Sequence, residues 1–267
     1  FTVQDYVTLP PSFAVAPGDV DASSSGFNIR VVQAPFGVAN SVVVREKLVV
    51  GVDANGQPFE NVATPDADGD FIYAEQTTLN YTDKGPRTQG FFADADGADR
   101  LPPGIPGTAG GDDNFVDEII TYLDLQPGLY QFGVYTDDGH KLSSGPNPRD
   151  KFSLPIGIAD GGRANERVYR FVVEQAGIYP FRLMWYEGGG DATLEWYSFN
   201  PAAETGERIL INDRAKTGGL KAYRVFKGKE IPYATVVDPA AGAANVAPNA
   251  SVLIKLSDAG SKANKDT

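Results

Sequence analysis

Gly133-Val134-Tyr135-Thr136-Asp137-Asp138-Gly139-His140 is the stretch on which the fold turns. An apolar run of strand-forming residues meets two carboxylates and a glycine, then resumes through His140 to Ser143. Reading upstream, Gln126-Pro127-Gly128 is a turn: proline presets φ at the second position and glycine permits a positive φ at the third. Before it, Val116 to Leu125 alternates. Ile119, Thr121, Leu123 and Leu125 fall on one side of a pleat, and Ile120, Tyr122 and Asp124 on the other. The spacing predicts a hairpin of 116–125 with 129–136. Downstream, strands are expected at 167–174, 178–186, 192–199, 209–211 and 220–226, with turns at Gln175-Ala176-Gly177 and Glu187 to Asp191. Upstream, 29–33, 41–50 and 71–79 carry the same β-branched signature. Many short strands at close spacing imply an all-β sandwich or barrel.

Composition excludes several function classes. The chain of 267 residues has 35 acidic and 23 basic side chains, a net charge of −12, so it lacks the clustered cations that nucleic acid or an anionic membrane requires. No apolar run approaches the ~20 residues of a membrane-spanning helix. With no cysteine there is no disulfide, thiolate zinc site or cysteine nucleophile, and a lone histidine, His140, rules out multi-histidine metal sites. The acidity and the Gly, Asp and Thr content suit an exported, extracellular bacterial protein. Because it opens on Phe1, the chain is expected to be an excerpt. Residues 1–50 read as a β segment or linker from a preceding domain, 51–228 as the main sandwich, and 229–267 as a polar connector, Gly228 to Asp238, followed by one alternating strand, Ser251 to Leu256.

Two loops carry candidate chemistry. Asp137-Asp138-Gly139 reads either as a turn or as half of a calcium site, since calcium takes 6–8 oxygen ligands from carboxylates and carbonyls. Glu187-Gly188-Gly189-Gly190-Asp191 reads either as a flexible tip or as the other half, three glycines letting carbonyls converge beside Asp191. Asp66, Asp68 and Asp70 alternate as in an EF-hand, but Phe71 stands where glycine is needed and Thr77 where glutamate is needed, which leaves a polar loop. Asp94, Asp96 and Asp99 receive the same reading, and Asp112-Asp113-Asn114 reads as an Asx-turn. Trp185 and Trp196 follow Leu183 and Leu194 by two residues, so at least one belongs to the core, although either could stack on a sugar. His140 is expected on an exposed rim. No Ser–His–Asp arrangement or carboxylate pair stands out, so the expectation is a binding protein and not an enzyme.

The stretches Gly104-Ile105-Pro106-Gly107 to Asp112-Asp113-Asn114-Phe115, Gly133 to Gly139, and Gln175-Ala176-Gly177-Ile178-Tyr179-Pro180-Phe181-Arg182, with Trp185 and Leu194-Glu195-Trp196, resemble the protective-antigen-type domain. That family includes flocculin and adhesin lectins. The likeness spans about Asp66 to Phe226. It implies a two-sheet sandwich in which Asp137 and Asp138, joined by a cis peptide, hold calcium with Gly189 and Asp191. The ion would bind two vicinal sugar hydroxyls, with His140 and Glu187 lining the ligand. Val237-Asp238-Pro239, Asn245-Val246-Ala247-Pro248 and Val252 to Leu256 resemble the opening of a bacterial Ig-like domain. The resulting expectation is a calcium-dependent carbohydrate-binding module of a cell-surface, adhesin-like protein. Its partners would be a glycan and neighbouring copies or domains of the same protein. The rivals are a spacer or filament subunit assembling by strand exchange, and an accessory module of a secreted glycoside hydrolase.

Overall fold

The computed structural model describes residues 6–83, 89–92, 99–163, 165–200, 206–239 and 246–258. Two sheets face each other. The first holds β1 (Val7–Leu9), β4 (Asn80–Thr82), β6 (Gly128–Thr136), β9 (Asn165–Val173), β11 (Thr193–Phe199) and β12 (Arg208–Leu210), in the order β1-β9-β6-β11-β12 with β4 also on β11. The second holds β2 (Phe27–Gln33), β3 (Ile72–Glu75), β5 (Phe115–Leu125), β7 (His140–Ser144), β8 (Leu154–Ala159), β10 (Gly177–Glu187) and β13 (Lys221–Tyr223), in the order β3-β2-β5-β10-β7-β8 with β13 also on β5. A separate hairpin pairs β14 (Tyr233–Asp238) with β15 (Leu253–Ser257).

The period-2 alternation explains the core. Odd residues of β5 and β10 (Phe115, Ile119, Leu123, Leu125; Tyr179, Phe181, Leu183, Trp185) meet Phe132, Val134, Phe171, Leu194 and Trp196 from the other sheet. Both tryptophans are fully buried, so neither is a sugar-stacking platform. Each such side chain contributes roughly 1.5–3 kcal/mol of burial. Asp117 shares the core-facing register of β5. It is fully buried, neither carboxyl oxygen has a hydrogen-bond partner, and burial pushes its pKa well up.

Four expectations are corrected. First, 116–125 and 129–136 form no hairpin. β5 already has β2 and β10 on its edges, and β6 has β9 and β11, so Gln126-Pro127-Gly128 is an arch from one sheet to the other. A Pro-Gly turn specifies reversal but not which sheet receives the returning strand. The connections at 137–139, 174–176 and 188–192 cross the sandwich in the same way. Second, the expected strand at 41–50 is helix α1 (Val42–Val49). Asp160 Oδ1 accepts from Val42 N at 2.7 Å at its start, and the helix lays Glu46 over the second sheet against Arg182. That contact overrides the β-propensity of the valine run. Third, residues 6–50 are no segment of a preceding domain: β1 and β2 are strands of the two sheets, and Leu9, Phe27, Ile29 and Val31 lie in the main core. Fourth, the supposed connector contains β14, and 71–79 is the shorter β3 with β4 beginning at Asn80.

Candidate functional site: two acidic arches at one end of the sandwich

Register brings the two candidate loops together. Thr136 at the end of β6 pairs with Leu194 at the start of β11, and His140 at the start of β7 pairs with Trp185 near the end of β10. Both crossings, 137–139 and 188–192, therefore leave the sandwich at the same end. Asp137 N donates to Thr193 O at 3.2 Å and Tyr186 N to Gly139 O at 3.1 Å. The approach is close: a Cβ on Gly139 would strike the Tyr186 hydroxyl, and one on Gly188 would strike the Asn40 amide.

Asp138 ties the arches to each other. Its Oδ2 accepts from Asn40 Nδ2 and from Gly188 N, each at 2.7 Å, and its Oδ1 accepts from Arg163 N at 3.1 Å. Beneath it, Arg45 is fully buried, donating to Asn40 Oδ1 at 2.9 Å and to the carbonyls of Val38, Ala39 and Phe115. Asp137 faces the mouth, with Arg163 Nε 3.4 Å away. Its pKa is raised by partial burial and by the carboxylates of Asp138, Asp191 and Asp83, against the pull of Arg163. Glu187 is buried, and its Oε1 accepts from Gly189 N at 2.7 Å. Burial first, then the neighbouring Asp138 charge, pushes its pKa up to about 9, so it holds a proton at neutral pH. Asp191 Oδ2 accepts from Gln89 Nε2 at 3.1 Å, and Gly189 stands against the Asp113 carboxylate, which accepts from Gly190 N at 3.2 Å.

Asp137, Asp138, Glu187, Gly189 and Asp191 are thus gathered at one end, and His140 is not at the rim. It shares the inward register of Leu142, is fully buried, and is bonded to Thr136 Oγ1 at 2.9 Å and to the Tyr169 hydroxyl at 2.8 Å. Burial lowers its pKa to about 3, so the ring stays neutral. The Asp137–Asp138 link is trans; the cis peptides among the described residues are Ile105–Pro106 and Asp238–Pro239. Nor do three acidic or histidine side chains among the described residues converge as a preformed metal cage. The physical reason lies in Asp138, whose oxygens are turned to three N–H donors. The donor chemistry nonetheless suits a hard cation: the groups are oxygens, and neighbouring carboxylates raise the pKa values of Asp137 and Glu187.

Sequence reasoning read Asp113 as part of an Asx-turn and missed Asn40, Arg45 and Arg163. None carries a local signal, because their role comes from long-range packing. Of the other acidic runs, Asp66 caps its own loop, Oδ1 accepting from Asp68 N and Asp70 N at 2.9 and 3.0 Å, while Asp94 and Asp96 lie outside the described residues.

No protein-family profile and no curated protein matches the sequence. Solved structures do. The epithelial adhesin 9 A domain of Candida glabrata, in complex with Galb1-4GlcNAc, is 14% identical, covering 84% of this chain and 98% of its own, with a TM-score of 0.50. The PA14 domain of the MpAFP antifreeze protein is 15% identical, covering 81% of this chain and 98% of its own, at 0.49. The PA14 sugar-binding domain from an RTX adhesin is 16% identical, covering 70% and 95%, at 0.45. The class is therefore fixed at the level of architecture: an all-β sandwich. The PA14 domains among these structures belong to the type the sequence motifs resemble, and the likeness is one of fold.

Proposed function

We propose that this chain is a carbohydrate-binding module of an extracellular, adhesin-like bacterial protein, and that it binds its glycan through calcium held between the two arches. The observation that supports this reading is that Asp137, Asp138, Glu187 and Asp191 lie on two arches tied together at one end of the sandwich, and that Asp137 and Glu187 have pKa values raised in part by the charges of their neighbours. Asp137, Asp138, Asp191 and the Gly189 backbone would hold the ion. Bound there, calcium would offer open coordination positions to vicinal sugar hydroxyls. The protein's own part is to draw the arches together through Asp138 and to set Asp137 at the mouth. The role is binding and not catalysis.

A glycan array probed with and without a calcium chelator tests this. Retention should require calcium and disappear in Asp137→Asn with Asp191→Asn. Calcium-independent retention, or none on any glycan, would overturn it. The β14–β15 hairpin supports a second reading, a spacer or strand-exchanging subunit. Val252, Leu253, Ile254 and Leu256 are all exposed, as in the opening strand of an Ig-like domain that awaits its neighbours. Concentration-dependent assembly that Ile254→Lys or Leu256→Lys abolishes would favour it; a monomer at all concentrations would count against it.

A further inference from the structure

A cavity of about 650 Å³ opens on the outer face of the second sheet, far in sequence from the arches, and Arg30, Phe59, Glu118, Arg149, Lys151 and Tyr233 are among its walls. That is the size of a small-ligand pocket. Glu118, Arg30, Arg149 and Lys151 in its walls belong to an ion cluster. Arg182, fully buried, donates through Nη1 and Nη2 to Glu46 at 2.7 and 2.8 Å and through Nε to Glu118 Oε1 at 2.7 Å. Glu46 also pairs with Lys141 at 3.0 Å and with Lys151. It is saturated.

Glu118 Oε2 is not. Arg30 Nε and Arg149 Nε approach it to 3.7 and 3.6 Å, within ion-pair range but beyond hydrogen-bond length. Both nitrogens are buried without a hydrogen-bond partner. The Nε groups of two guanidiniums therefore stand beside one shared carboxylate oxygen without a hydrogen bond, Arg149 also meeting Glu230 through Nη1 at 3.8 Å, in a chain whose net charge is −12. Arg30, Lys141, Arg149, Lys151 and Arg182 face two buried carboxylates, with Asp70 and Glu230 at the edges, so the cluster keeps a positive excess. An oxyanion is the group that completes it: planar carboxylate matches paired guanidinium forks, and the half-buried rings of Phe59 and Tyr233 offer flat apolar walls to the remainder of a ligand.

We propose that this cavity is a second binding site, independent of the acidic arches, for a small sugar acid whose carboxylate is received by Arg30 and Arg149. The probe is glucuronate, titrated into the full chain by calorimetry and NMR, with glucose and inorganic phosphate in parallel. Glucuronate should saturate, glucose should not bind, and phosphate should bind about tenfold more weakly, having the charge without the ring. Arg149→Gln should weaken glucuronate by about tenfold or more, Arg149→Lys by less, and the exposed-residue control Arg167→Gln not at all. Where Arg149→Gln does not fold, Arg30→Gln and the Arg149 Nε–H resonance of the unmodified protein report instead. No saturable glucuronate binding, binding that Arg149→Gln and Arg30→Gln leave unchanged, or phosphate binding as tight as glucuronate would overturn the assignment.

Discussion

Glu187 and Glu46 are both buried glutamates, and they sit in opposite charge states. At Glu187, burial and the Asp138 carboxylate act together and raise the pKa to about 9. At Glu46, burial acts in the same direction, but Arg182, Lys151 and Lys141 outweigh it and hold the pKa well below the ordinary value. Glu118 follows Glu46, with Arg182, Arg149 and Arg30 overcoming burial. The same side chain is thus neutral at the arches and ionised under α1. The difference teaches what each region lacks. The arches gather carboxylates with one guanidinium, Arg163, beside them; the ion cluster supplies its own cations.

The comparison can be broken most forcefully at Arg182. Arg182→Met leaves Glu46 and Glu118 buried beside fewer cations and should cost about 3–5 kcal/mol in urea denaturation. The arches should be less sensitive. Asp138→Ala strips the acceptor from Asn40, Gly188 and Arg163 and should cost roughly 2–3 kcal/mol, with Asp138→Asn costing less because one acceptor oxygen remains.

Glu187→Gln sharpens the contrast, because it should stabilise. A carboxyl whose folded pKa lies above its unfolded value binds more protons when folded, so stability falls as pH rises from about 4.5 towards about 9. Glutamine keeps the acceptor for Gly189 N and removes that dependence, for a gain on the order of 2 kcal/mol at neutral pH and none near pH ~4. Glu46 and Glu118 have depressed values and act on the other flank: their contribution is present above the unfolded carboxylate range and is lost as pH falls. Thermal unfolding across pH should show both slopes, and Glu187→Gln should flatten only the alkaline one. The smallest effect is a null. His140, with a pKa of about 3, should show no shift of its ring resonances between pH ~5 and ~8.

Much of the fold was legible because alternation is local. β5, β6, β9, β10 and β11 fall where the period-2 pattern puts them, and the motif resemblance pointed to a two-sheet sandwich. Pairing was not legible. Gln126-Pro127-Gly128 encodes a reversal, and only the occupied edges of β5 make it an arch. The valines at 42–44 encode a strand, whereas the folded helix is held by long-range contacts of Val42, Arg45 and Glu46 with Asp160, Phe115 and Arg182. At the candidate site, the two acidic loops could be found from composition, but Asn40 and Arg163 could not, since neither has a partner within its own loop. His140 was misplaced because its neighbours are acidic and polar, while its register with Leu142 turns it inward.

The direct test is calcium titration of the unmodified chain by calorimetry, in two buffers of different ionisation enthalpy. Saturable binding should release protons, because carboxyls with raised pKa values must ionise to meet the ion, and Asp137→Asn should weaken it by about tenfold or more. No saturable heat at millimolar calcium, or binding that Asp137→Asn leaves untouched, would contradict a cation seat between the arches.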